Sequence, residues 1–282
     1  MVVKGGTIAR IAPGYLDTDD LDLADGDTAS VIDLKDKTVL PGLIDSHTHI
    51  TFQMAENSIE LQVTQTDPYE ALLGVQYAQR TLAAGFTTIR NVGSRGDAAF
   101  ALRDAIARGV VMGPRIQVAG RAMTPTGGHA DIVGYRDDVF PEGTAGACNG
   151  ADDCMRAVRE QVKRGADVIK ITATGGVLSR LAAGTEQQLT DPELTASVEN
   201  GHLLGKKVAA HAHGPGGINA ALRAGVDSIE HGSYLDDESI RLFLETGAFL
   251  VPTLLAGAAV TEKAEVPGYY VPAVADKARG IA

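Results

Sequence analysis

Pro41-Gly42-Leu43-Ile44-Asp45-Ser46-His47-Thr48-His49 is a short apolar run that ends in two histidines one residue apart. Side chains alternate along a strand, so His47 and His49 point the same way, as two imidazoles sharing one metal must. An HxH pair alone is a weak signal. Its weight depends on what the rest of the chain brings to the same place.

Downstream of this stretch one unit recurs: a helical segment, a glycine where the helix should stop, then a short apolar strand. The glycines are Gly85, Gly109, Gly165, Gly205, Gly225 and Gly247, ahead of strands at 86–90, 115–119, 167–171, 206–210, 227–230 and 248–252. Glycine suits the left-handed position just past a helix end, and alternating helices and strands imply a parallel sheet. Asp67-Pro68 and Asp191-Pro192 read as helix starts, an aspartate capping a proline at the first helical position. With 39–44 counted as the first strand, there are seven in order. Seven consecutive βα units suit a (β/α)8 TIM-like barrel lacking its eighth strand better than a doubly wound sheet, although periodicity alone does not separate the two.

The first 38 residues read differently, as two hairpins. One pairs 2–4 with 7–11 across Gly5-Gly6, and the other pairs 30–34 with 38–40 across Lys35-Asp36-Lys37. The acidic run from Asp17 to Asp27 lacks the spacing of a calcium loop and reads as a solvated loop. The domain division expected is 1–38 and 39–282.

Composition narrows the function classes. The 282-residue chain carries a formal net charge of -11 and no tryptophan, so it offers neither the basic face nor the stacking aromatics of a nucleic-acid binder. No apolar run reaches the roughly 20 residues of a membrane span. Cys148 and Cys154 flank a turn and form either a local disulfide or two free thiols, which leaves the compartment open. A cytoplasmic location is the default, with export if a leader precedes Met1; a homo-oligomer is allowed.

The polar residues on the strands carry the chemistry. His47 and His49 close the first strand, Lys170 lies near the end of the 167–171 strand, and His211 and His231 end the next two. All fall at carboxyl ends of strands, where a barrel of this kind builds its active site. One strand-end histidine is ordinarily a hydrogen-bonded structural residue; five matching positions on four strands point to a metal site. An ammonium cannot ligate a metal, so Lys170 has three readings: a salt-bridged lysine, a Schiff-base lysine, or a carbamate formed with carbon dioxide whose oxygens bridge two ions. The surrounding histidines favour the carbamate. In the loop after the third strand, Gly127 and Gly128 allow a ligand close to the backbone beside His129, which could polarise a carbonyl or hold a carboxylate. His213 shares the strand face of His211 and reads either as a support behind the ligands or as substrate-facing. Gly175 and Gly176 suggest a loop shaped around a ligand.

The chain resembles the metal-dependent amidohydrolase superfamily, in its imidazolonepropionase-related branch that includes Xaa-Pro and Xaa-Arg dipeptidases. The resemblance rests on TVLPGLIDSHTHI at 38–50, TPTGGH at 124–129, GADVIKITATGG at 165–176, VAAHAHG at 208–214 and AGVDSIEHG at 224–232. It implies that His47 and His49 hold the more buried of two divalent ions, that carbamylated Lys170 bridges, and that His211 and His231 hold the second, with zinc the expected metal. It also implies hydrolysis of an amide bond in a dipeptide or N-acyl amino acid. Two other readings stand beside it: a cyclic-amide hydrolase or deaminase, and a catalytically inactive fragment that only binds metal. The family takes a last metal-site aspartate from its eighth strand, and Asp276 does not fit that place. The resemblance further makes residues 1–38 part of a β-sandwich, so the chain reads as truncated at both ends.

Overall fold

The computed structural model describes residues 1–55, 58–136, 138–139, 146–179 and 184–281, with only the backbone of Ile59 and Gln62. The chain divides into two compact units, Met1–Pro41 and Gly42–Ala282.

In the first unit β1 (Val2–Lys4) and β2 (Thr7–Arg10) pair antiparallel across Gly5-Gly6, as expected. The second expected hairpin is absent: residues 30–40 contain no strand. The acidic run holds a turn of 3-10 helix at Thr18–Asp20, in which Asp17 and Asp20 cap one another. No residue of this unit is buried, so side-chain packing gives the would-be second hairpin little support.

The second unit opens with β3 (Leu43–Thr48), followed by α1 (Ser58–Thr64), α2 (Asp67–Ala83), β4 (Phe86–Asn91), α3 (Ala98–Ala107) and β5 (Arg115–Val118). Two short strands come next, β6 (Met123–Thr124) and β7 (Gly146–Ala147), then α4 (Ala151–Lys163), β8 (Val168–Thr172) and α5 (Asp191–Leu203). The chain continues through β9 (Lys207–Ala212), α6 (Pro215–Ala224), β10 (Ser228–His231), α7 (Asp237–Thr246) and β11 (Phe249–Val251), and finishes with α8 (Leu254–Ala264) and α9 (Pro272–Arg279). The first strand is therefore four residues later than the expected 39–44. Its start is set by the partner, because Leu43 N–H donates to Gly85 O and Leu43 lies opposite Phe86.

All pairing in this unit's named strands is parallel, in two sheets ordered β3-β4-β5 and β11-β10-β9-β8-β6-β7. The fold is α/β. No closed barrel forms among the described residues. The sheets meet where Asp167, just ahead of β8, donates its N–H to Val118 O at 2.8 Å and accepts from Val118 N–H through its carboxylate at 2.9 Å. All five residues of β8 and the last five of β9 are buried, as in a parallel sheet covered on both faces.

Each of the six punctuating glycines takes a left-handed φ, between 70° and 95°, which a side chain would oppose. Helix starts differ from expectation by one residue. Thr190, not Asp191, caps α5, because Glu193 reaches back to Thr190 N–H at 2.8 Å and so closes a capping box; Asp67 and Asp191 are the first residues inside their helices. Cys148 and Cys154 form a disulfide, with Cα atoms 4.8 Å apart and both side chains fully buried. No described helix is long and apolar enough to cross a membrane.

Candidate metal centre

The histidines singled out in the sequence converge. Ring centroids lie 5.5 Å apart for His47 and His49, 4.8 Å for His47 and His231, 4.7 Å for His211 and His231, and 4.7 Å for His211 and His213. His129 stacks on His211 at 4.1 Å, which brings the β5–α4 connection into the same cluster. His47 lies on β3; His49 follows the strand's last residue. One nitrogen each of His211, His213 and His231 lies within 4.8 Å of the others, a spacing that could hold a metal ion. His213 therefore stands close beside His211 and His231. Exposed His202 is elsewhere, paired with Asp227 at 2.8 Å.

Each ring has one nitrogen engaged by protein. His47 Nδ1 donates to Glu230 Oε2 at 2.7 Å, and His49 Nδ1 donates to Gly93 O at 2.8 Å. His211 Nε2 donates to Gly175 O at 3.3 Å. The Nδ1 atoms of His129, His213 and His231 are hydrogen-bonded to the hydroxyls of Ser179, Ser233 and Thr253 at 2.6, 2.8 and 2.7 Å. A nitrogen fixed this way leaves the other free to bind and sets how the ring is aimed.

Protonation favours ligation too. Burial is the largest influence on all six rings and holds them in the neutral, metal-binding form. It brings His49 and His213 to about 4 and His129 to about 3, and it lowers His47, His211 and His231. Lys170 is 4% exposed, and its Nζ has no hydrogen-bond partner among the described residues. Burial pulls its ammonium down to about 8, so an appreciable fraction is the neutral amine near physiological pH.

Glu230 and Arg90 were not singled out in the sequence. Glu230 is fully buried; it accepts from His47, from Arg90 Nη2 at 2.7 Å and from Ser228 Oγ at 2.6 Å. Arg90 also reaches Ser46 O at 2.7 Å. Burial works against the Glu230 charge, yet the bond from His47 and the charges of Lys170 and Arg90 hold its carboxyl at about 2. One signal was available: Ser228 and Glu230 alternate on β10 with apolar Ile229, which places two polar side chains on one face of a buried strand.

The backbone is strained at the same place. His231 and Thr253 are the only described non-glycine residues with positive φ, at 73° and 48°, and they are bonded to one another. Gly176 lies under the His129 ring; a Cβ there would sit 2.0 Å from it. Gly176 is thus shaped around an imidazole of the protein itself, whereas a Cβ at Gly175 would meet Gly184 O at 2.2 Å.

Comparison with known proteins identifies the family. A family model described as "Amidohydrolase family" matches residues 38–276. A solved Xaa-Pro dipeptidase with methionine bound in its active site superposes with a TM-score of 0.84 at 42% identity, covering 92% of this chain and 64% of that one. A prolidase complexed with N-methylphosphonate-L-proline superposes with a TM-score of 0.79 at 32% identity, covering 93% and 64%. Ochratoxinase from Aspergillus niger is 33% identical over 233 residues, which is 76% of this chain and 47% of that protein. The chain spans about half the length of the curated relatives it matches. On its fold, its clustered histidines and the match over most of its length, the chain belongs to the amidohydrolase family.

Proposed function

We propose that this chain is the hydrolase domain of a metal-dependent enzyme that cleaves the amide bond of dipeptides or N-acyl amino acids. In this reading residues 39–282 supply seven strands of a (β/α)8 barrel and residues 1–38 belong to a β-sandwich. The observation that carries it is Lys170 Nζ, buried with no hydrogen-bond partner among the described residues, in a centre of neutral histidines that each have a nitrogen to spare.

His47 and His49 would hold one divalent ion and His211 and His231 a second, with zinc the expected metal for this imidazole-rich set. The Lys170 amine, neutral in part at about 8, would add to carbon dioxide with loss of a proton. The resulting carbamate would turn the side chain into a carboxylate able to ligate the ions. When bound, the ions would acidify a water and polarise the scissile carbonyl. His129, kept neutral by burial and held at Nδ1 by Ser179, would bind a carbonyl or carboxylate oxygen of the substrate through its other nitrogen. His213, held by Ser233, would face the substrate from the same strand as His211.

One observation favours a second reading. His211, His213 and His231 by themselves are spaced for a single ion, which suits a cyclic-amide hydrolase or a deaminase working with one metal. Metal analysis of the 282-residue chain separates the two. Two ions per chain, falling on Lys170→Ala and persisting in His213→Ala, support the binuclear dipeptidase; one ion, kept by Lys170→Ala and lost on His213→Ala, supports the alternative. A panel of Xaa-Pro and Xaa-Arg dipeptides, N-acyl amino acids and cyclic amides then assigns the bond cleaved.

A further inference from the structure

We propose that Lys277, on the last helix, is a positioning residue that holds the His129 imidazole in place by clamping the loop on which that ring rests. The argument begins with α8 and α9. Val260, Ala264, Ala275 and Ala278 pack with Val177, which places this helix pair on the loop after β8. Thr261 Oγ1 donates to Ala278 O at 2.9 Å, and Arg279 Nη2 donates to Ala264 O at 3.0 Å, so the two helices are tied together. Tyr234, one residue after the Ser233 that holds His213, donates its hydroxyl proton to Gly280 O at 3.1 Å. The end of α9 is thereby anchored to the loop after β10 as well.

From this anchored position Lys277 Nζ donates to Gly176 O at 3.2 Å and to Ser179 O at 2.5 Å. These two carbonyls bracket the loop segment that supports His129 from two sides. Gly176 lies flat under the ring, with no room for even a methyl group, and Ser179 Oγ is bonded to Nδ1 at 2.6 Å. His129 N–H donates to Gln188 Oε1 at 2.9 Å, which holds the backbone of that residue but leaves its ring to the loop. The half-buried ammonium has no carboxylate partner among the described ion pairs. Desolvating a charge to bind two carbonyls costs free energy that an apolar contact between the same segments would not. What the lysine adds over such a contact is direction: two charge-assisted donors fix the separation of Gly176 and Ser179, and with it the seat of the ring.

The proposal rests on His129 contacting substrate, as in the hydrolase reading above. The test is a double-mutant cycle in the full chain with Lys277→Met and His129→Ala, read as kcat/KM on the best dipeptide found. Lys277→Met is expected to lower kcat/KM about tenfold in the parent and less than twofold when His129 is already alanine, with Lys277→Arg recovering most of the loss. Metal content and Tm should be unchanged. Equal losses in both backgrounds would overturn the proposal, because Lys277 would then act elsewhere than through His129. Amide hydrogen exchange decides the matter independently of any hydrolase activity: residues 174–179 are expected to exchange at least tenfold faster in Lys277→Met, and unchanged protection overturns the clamp. If no dipeptide is cleaved but exchange accelerates, the clamp stands and the hydrolase reading fails.

Discussion

His47 is held by a carboxylate that is itself locked by Arg90 and Ser228, whereas His129, His213 and His231 are each held by a single hydroxyl. A carboxylate only accepts, so it fixes the proton on His47 Nδ1 and leaves Nε2 as the one binding nitrogen. A hydroxyl donates or accepts, so the three rings on the other side keep a choice of tautomer. His47 is therefore set in advance, as is His211 against the Gly175 carbonyl, whereas the three hydroxyl-held rings can adjust. The cost of the first arrangement is a buried charge network; the cost of the second is only a hydrogen bond at each ring.

The largest test of that contrast is Glu230→Ala, which leaves the Arg90 guanidinium largely buried beside an emptied site. It should lower stability in urea unfolding by about 3–5 kcal/mol, as for other broken buried pairs. A loss below about 1 kcal/mol would mean that the two sides are held equally weakly. Next comes Gly176→Ala, whose methyl group would meet the His129 ring at 2.0 Å. Crowding of this kind is expected to cost about 1–3 kcal/mol and to impair substrate binding more than metal binding, measured by KM beside metal content.

Acid sharpens the contrast further. Burial holds His49 and His213 at about 4 against an ordinary 6.5. The unfolded chain thus takes up protons first as pH falls, and stability that is full above 6.5 drains away between 6.5 and 4. Each such ring contributes a slope of about 1.4 kcal/mol per pH unit in that window, so His213→Gln should flatten the stability profile of the metal-free protein by that amount. Glu230 works in a lower window. Its folded value is about 2 against an ordinary 4.5, so its contribution is complete above 4.5 and is lost as pH falls towards 2. The smallest effect expected is that of Thr253→Val, which removes one hydroxyl from His231 and should cost about 1 kcal/mol in the same unfolding measurement.

Local signals in the sequence were enough for the parallel βα order and for singling out the histidines that converge. The glycines sit where left-handed backbone is needed, and the histidines sit at strand ends, because a strand's length and alternation are readable over a few residues. The partners that aim the rings were not readable. Glu230 meets His47 across 183 residues of sequence and Arg90 across 140; Lys277 meets Ser179 across 98. Such contacts follow from how strands and helices are brought together, which no local period encodes. The displaced start of β3 has the same origin, since Gly85 and Phe86 on the neighbouring segment decide where pairing begins. Residues 30–40 failed as a hairpin because turn residues suggest a reversal but supply no apolar surface to cover it.

The left-handed backbone at His231 and Thr253 has a consequence for anyone trying to improve this protein. Each conformation is strained by roughly 1–3 kcal/mol for a residue with a side chain. Glycine would relieve that strain at either position and would remove the imidazole or the hydroxyl in doing so. A laboratory selection for heat resistance alone will therefore enrich glycine at 231 and 253 and deliver a hardier protein with a damaged centre. The two positions should be frozen before such a selection begins, and the gain in robustness sought instead on the outer faces of the helices.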